Sequence, residues 1–315
     1  MALSIGQILA VSYPAVMAER KKAANQWAES AFMRHLEKLG AIKRISFGTT
    51  IECPLDYQRN PNAGFLATDM EAVSLVKTEV LTAAEYSTGR LSVPITWSKE
   101  DEAKNSSENQ KIALVKSLIE NADESHDDLV EEALFATVTD GVLGMQNLIS
   151  DDGEGSIGGI NAATEVWWKN DFDTYLDDGS DIEAALAEAD NTTSKGSGSK
   201  MGVKLLVSGS APHALYEGQL TSNQRYIDTA TGSAGFKALA FRDKPFIYSQ
   251  HGHATRIYGI NPKSFQLVVS KDAYKLKGDT IEIPNQNGYV VKLFSMLQLV
   301  TNNRSRLFVL EETSS

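Results

Sequence analysis

The sequence predicts an α+β fold, and three observations predict it. A single long amphipathic helical pattern runs from Glu108 to Asp140. Strand-period alternation precedes it between residues 44 and 98. After Phe236 come six short apolar runs separated by Gly, Asn and Pro. Helix and strand patterns therefore occupy separate stretches, which argues for a mixed body and against a doubly wound sheet.

Composition sets outer limits. A chain of 315 residues with 42% hydrophobic and 23% charged residues can bury a sizeable core in one large domain or two. A net charge of −11 argues against nucleic-acid recognition as its main business, and against anionic membranes. Cys53 is the one cysteine, so no internal disulfide forms and a reducing compartment fits. The apolar N-terminal stretch has its basic residues after it, the reverse of a secretory signal. No run approaches the roughly 18 apolar residues that span a bilayer.

Taken in order, residues 15–40 read as one or two helices. Trp27, Ala31, Leu36 and Leu39 are their apolar contacts, and Gly40 is the stop. Ile45, Phe47, Thr49, Ile51 and Cys53 alternate, and so do Leu91, Val93, Ile95 and Trp97. The spacing predicts the two strands of one arm, with PLDYQRNPNAGFLATD at its irregular tip. A two-stranded ribbon is marginal alone, so its apolar face needs a partner in this chain or another.

The long helix follows. Ile112, Val115, Leu118, Ile119, Leu129 and Leu134 define its expected core face at i, i+3, i+4 spacing. Glu120, Asp123, Glu124, Asp127, Asp128, Glu131 and Glu132 read as its solvated face. Ser107 and Gln110 form a capping box, and Gly141 is the expected stop. Such a helix is about 50 Å long at 1.5 Å per residue. Its apolar stripe breaks from Asp123 to Asp128, which disfavours a coiled coil and favours packing along a sheet.

Beyond the helix, Gly153, Gly155 and Gly158 spell G-x-G-x-x-G. They follow a helix instead of a strand, so they read as turns and not as a dinucleotide fingerprint. Ser180–Asp190 is a short helix, NTTSKGSGSK (191–200) a polar loop, VKLLVSG a buried strand and PHALYEGQLTSNQRY a helix with Pro212 in its first turn.

Little chemistry assembles. His251 and His253 form a two-ligand metal motif without a third ligand at useful spacing. Ser125, His126 and Asp127 are helix neighbours about 100° apart and cannot form a triad among themselves. Asp151, Asp152 and Glu154 lack the rest of a calcium loop. Trp167 and Trp168 read as a packed aromatic anchor, with base or sugar stacking as the alternative. No catalytic residue, cofactor site or metal site is assigned.

Four stretches carry a family resemblance. They are VLTAAEYSTGRLSVPITWSKEDEAKN (80–105), the helix over 107–140, GGINAATEVWWKN (158–170) and VVKLFSMLQLVTNNRSRLFVLEE (290–312). In this order they resemble tailed-bacteriophage major capsid proteins of the Hong Kong 97-type capsid fold, over residues 44–312. The resemblance implies an N-terminal arm (1–43), an E-loop β-hairpin (44–97) and a peripheral domain holding a spine helix (98–157). An axial domain (158–265) and closing strands shared between the two (266–315) complete it. It implies a non-enzymatic subunit that assembles with itself into pentamers and hexamers of an icosahedral virion shell around double-stranded DNA. Assembly would take place in the host bacterial cytoplasm. Because only residues 1–43 precede the E-loop hairpin, a separate scaffolding protein or a short arm is expected, with a portal and a possible decoration protein as further partners. Tyr57, Arg59, Phe65, Leu66 and Met70 at the arm tip are the expected contacts to a neighbouring subunit. Two alternatives stand beside this reading: an encapsulin-like nanocompartment shell, and an α+β metal- or sugar-binding enzyme or module using His251, His253 and the Trp pair.

Overall fold

A computed structural model of the chain describes residues 30–65, 76–104, 108–194, 202–220, 239–284 and 286–314; over 108–113 it describes the main chain only. Trp27, Leu66, Met70, Ser107, most of the polar loop and the end of the helix drawn through Tyr226 lie outside these residues, as does the Ile112 side chain.

Helix α1 (Ala31–Lys38) starts where Ser30 accepts the Met33 N–H at 3.1 Å and ends before Gly40, which sits at φ +70°. Strand β1 (Ile42–Ile45) leads to a ribbon of β2 (Thr50–Asp56) and β3 (Leu81–Ser87). Then come β4 (Gly89–Ser98), α2 (Lys99–Lys104) and the long α3 (Glu108–Phe135). Short hairpins follow: β5 (Val138–Thr139) with β6 (Val142–Leu143), α4 (Met145–Leu148), then β7 (Ser156–Ile157) with β8 (Ile160–Asn161). A 3-10 turn, Val166–Trp168, precedes β9 (Asp171–Leu176), α5 (Ile182–Ser194), β10 (Leu205–Ser208) and α6 (Ser210–Gln219). The C-terminal part is β: β11 (Leu239–Phe241), β12 (Lys244–Tyr248), β13 (Arg256–Ile260), β14 (Phe265–Ser270), β15 (Leu276–Lys277), β16 (Ile281–Glu282), β17 (Gly288–Thr301) and β18 (Phe308–Thr313).

Two six-stranded sheets organise these elements. In the first, β17 is the hub: it pairs with β14, which holds β1 at its far edge, and with β4, β15 and β16. The second runs β11-β12-β10-β13-β18-β9. Helix α3 crosses the first sheet, burying Val115, Ile119 and Ala122 on Val93, Ile95, Trp97, Val291 and Leu293. Helices α5 and α6 cover the second, where Ile182, Leu186 and Tyr216 meet Phe246, Phe308 and Leu310. The largest cluster lies between and joins α1, the end of α3, the arm base and both sheets.

Four sequence expectations change. Leu91–Trp97 is not the returning strand of the arm. It lies in β4 and pairs with β17 from Ser98↔Gly288 to Gly89↔Leu297, while Leu81–Ser87 closes the ribbon on Thr50–Asp56. The long helix ends at Phe135, five residues early, at the β-branched run Thr137-Val138-Thr139. Asp140 and Gly141, at φ +45° and +89°, form the two-residue turn of the β5–β6 hairpin instead of a helix stop. The polar loop also begins late, because α5 runs on to Ser194. Gly144 then turns the chain back beneath the helix, where a Cβ would stand 1.8 Å from the Ala136 carbonyl oxygen. The glycine motif behaves as turns: Gly153, Gly155 and Gly158 all have positive φ, and the last opens a hairpin and not a helix.

The core face of α3 is testable by truncation. Leu134 is fully buried, so Leu134→Ala is expected to cost about 2–5 kcal/mol of unfolding free energy in urea titration. Leu118 is half-buried and should lose less. Glu120→Ala should stay within about 0.5 kcal/mol, and an equal loss at Glu120 would show the stripe to be misassigned.

Candidate functional site

The arm is built on its own chain at the base and open at the tip. Across the ribbon, Ile51 faces Tyr86 and Cys53 faces Ala84 on one side, and Ile51, Leu55, Ala84 and Tyr86 are buried. The Tyr86 hydroxyl donates to the Thr301 carbonyl at 2.8 Å, and the Glu85 N–H donates to Gly158 at 3.0 Å. Gly158 is required there: a Cβ would meet Ala84 Cβ at 2.7 Å. The apolar face of the arm base is thus covered within the chain, and needs no second subunit.

Further out the tip residues divide. Tyr57 stacks on Trp167, with ring centroids 5.3 Å apart, and its hydroxyl donates to the Glu79 carbonyl at 2.8 Å. This engages Tyr57 inside its own chain. Arg59 is exposed, and Phe65 is fully so at 105%. Val76, Leu81 and Val166 are also exposed large apolar side chains. Both strands of the ribbon keep an outer edge largely unpaired among the described residues.

On α3, Val115, Ile119 and Leu134 are buried, whereas Leu129 is 43% exposed and not part of the core face. At 100° per residue Leu118 and Leu129 fall on the flank of the stripe, whose centre runs through Ile119, Asp123, His126 and Val130. The stripe is therefore continuous, and its middle is polar. Asp123, at 2%, and Glu131, at 9%, leave the expected solvated face for the interior. Glu131 accepts the Ser249 hydroxyl at 2.6 Å. Asp123 and Asp127 both contact the buried Lys275 ammonium.

His126 sits in this polar stretch. One ring nitrogen lies 3.1 Å from Asp127 Oδ1 and the other 2.8 Å from Ser295 Oγ. Serine, histidine and aspartate thus meet after all, with Ser295 taking the part that Ser125 could not. Ser295 is fully buried beneath the helix and also accepts the Lys275 N–H at 2.8 Å, so the three act as a packing network with no room for a substrate. Burial holds the His126 pKa below 6.5. Above pH 6.5 both folded and unfolded forms are neutral at this ring. Below it the unfolded chain takes the proton first, so stability falls as pH drops below 6.5. His126→Gln is expected to flatten the stability profile over that window, measured by urea midpoints at stepped pH. An unchanged slope would remove His126 from the explanation.

The His251-Gly252-His253 pair does not converge. His251 Nε2 lies 2.9 Å from Asp128, while His253 Nδ1 accepts from Thr255. Among the described residues no three His, Cys, Asp or Glu side chains gather as metal ligands. Among them, too, no helix is long and apolar enough to cross a membrane. Trp168 is buried with its indole N–H on the Ile157 carbonyl, and Trp167 takes Tyr57.

One junction carries no local pattern that marks it in the sequence. Arg304, fully buried, donates to the carbonyls of Leu148 (2.9 Å) and Glu154 (3.0 Å), to Asn170 Oδ1 (2.8 Å) and to Ser150 Oγ (3.2 Å). Asn170 in turn donates to Ser150 O at 2.7 Å. Burial pushes the guanidinium pKa down to about 10, so it stays cationic at neutral pH. Asn170 ends the GGI…WW.N stretch and Arg304 ends the Asn–Arg turn, so two motifs over a hundred positions apart fasten one loop.

No family model matches the chain, and no curated protein matches its sequence. Solved structures do. The capsid asymmetric unit of cyanophage A-1(L) matches with a TM-score of 0.55 at 14% identity, covering 88% of this chain and 92% of that one. The capsid of a native GTA particle matches at 0.59 and 10% identity, covering 88% and 89%. The capsid of Myoviridae phage XM1 matches at 0.52 and 15%, covering 87% and 90%. Covering 87–88% of the chain, these likenesses show that it has the fold of tailed-bacteriophage major capsid proteins.

Proposed function

We propose that the chain is a major capsid protein, a non-enzymatic subunit that assembles with itself into pentamers and hexamers of an icosahedral shell around phage DNA. The observation that carries this is the arm: its base is fixed to the body, while Leu81 at the start of β3 and Phe65 and Val76 in the connection between β2 and β3 stand exposed. Apolar groups held out on a rigid support contribute little to folding and much to a contact with another copy. The match in fold to capsid subunits over nearly the whole chain supports the same reading.

In this reading β2 and β3 are the E-loop and α3 the spine helix. The first sheet belongs to the peripheral domain and the second, with α5 and α6, to the axial domain. Strands β17 and β18 close one sheet each. Lys, Arg, Asp and Glu sum to −11, which suits a wall that holds DNA without binding it. A separate scaffolding protein, a portal and a decoration protein are the further partners, and assembly takes place in the bacterial cytoplasm. Electron microscopy of the purified chain, alone and with its scaffold, tests the proposal. Closed shells are the expected result. Shells that enclose a co-purifying enzyme would replace it with a nanocompartment, and a small uniform oligomer that takes up zinc would overturn it.

A further inference from the structure

The polar cluster beneath α3 holds a reactive arrangement that shell formation does not require. Lys275 precedes β15 with its side chain 4% exposed. Its ammonium contacts Oδ1 of Asp123, whose side chain is 2% exposed, and lies 2.7 Å from Oδ1 of Asp127. The two carboxylates stand one helical turn apart on the same face of α3. Lys275 is fixed from its main chain as well, at φ +52° and with its N–H on Ser295 Oγ. The rings of Tyr274 and His126 meet edge to face at 5.5 Å beside it, His126 buried and Tyr274 half-buried.

An amine, a carboxyl group and a second carboxylate in hydrogen-bond reach of that amine are the three groups that amide formation needs. Here the amine and the Asp123 carboxyl group are held out of water with Asp127, its side chain 18% exposed, at the edge of the cluster, and proximity replaces an activated acyl donor. We infer that Lys275 and Asp123 join in an intramolecular isopeptide bond, with Asp127 as the general acid–base.

The step balances without another reactant. Asp127 relays the first ammonium proton to the Asp123 carboxylate, making it a carboxylic acid. The neutral amine attacks Cγ of Asp123. A second proton leaves nitrogen and reaches the departing hydroxyl through Asp127. The C–O bond breaks, the C–N bond remains, and one water is released. Two buried charges become one neutral amide, which removes the burden of keeping an ion pair in a dry site. The bond would tie the middle of α3 to the first sheet, within one subunit and whatever its state of assembly.

Intact mass of the full, denatured chain decides the matter. A mass lower than the sequence mass by one water is expected, with a branched proteolytic fragment joining the Asp123 peptide to the Lys275 peptide. Lys275→Arg and Asp127→Asn should each show the full sequence mass and no branched fragment. A wild-type chain of full sequence mass overturns the bond, as does a water loss mapped to other residues. The wild-type mass requires no variant to fold. A branched fragment that persists in Asp127→Asn overturns the part given to Asp127.

Discussion

Arg304→Ala is expected to lower the unfolding free energy by about 3–5 kcal/mol. The change takes a donor from the buried carbonyls of Leu148 and Glu154 and from Asn170 Oδ1; a buried acceptor left without a donor costs about 1–3 kcal/mol, and Ser150 still donates to the last two. It also empties a fully buried site. Arg304→Lys should recover little. An ammonium is a point donor and cannot hold carbonyls on two sides of a loop as the planar guanidinium does. The urea midpoint reads the loss, and an unchanged slope shows that the unfolded reference is the same. A midpoint within error of wild type would mean that the loop from Ser150 to Glu154 is held by something else.

The second large effect falls on assembly. Replacing residues 59–78 by a short Gly-Ser turn removes Arg59, Phe65, Leu66, Met70 and Val76 but keeps the Tyr57–Trp167 stack and the Glu79 acceptor. The variant is expected to stay soluble and to melt with wild-type cooperativity, yet to form no closed shells. Burying one large apolar side chain is worth roughly 1.5–3 kcal/mol, and a shell repeats each contact in every subunit. Normal shells from this variant would sink the assignment of the tip to a neighbour. A lowered melting temperature would place the tip in the core of its own subunit.

Patterns set by one apolar face were legible in the sequence, and patterns set by partners far away were not. Helix α3 and the strands after Phe236 could be read because their buried residues recur at helix and strand spacing. The middle of α3 was misread because Asp123, His126 and Glu131 are buried, and Lys275, Ser295 and Ser249, more than a hundred positions on, help make that tolerable. The arm was paired with the wrong strand for a related reason. Leu91–Trp97 alternates strongly because α3 covers it, whereas Leu81–Ser87 presents only Ala84 and Tyr86 to the body. Tyr57 looked free because its partner, Trp167, lies across the fold. The tip itself was marked by its Pro, Asn and Gly residues, and Phe65 stands exposed there.

Strand β17 carries a consequence for how the chain is made. It pairs with β4 along one stretch and β14 along another, and the Tyr86–Thr301 hydrogen bond spans 215 positions. A ribosome delivers the arm base, β4 and α3 long before it delivers the strand that covers them. At about 5–20 residues per second, those apolar faces wait on the order of ten seconds or more. The first sheet therefore closes only after β17 has left the ribosome, through contacts of high sequence separation that form slowly. A nascent chain in that interval displays sticky surface to its sisters on the same messenger. Folding yield should depend on chaperone supply and expression rate well before any property of the finished subunit comes into play.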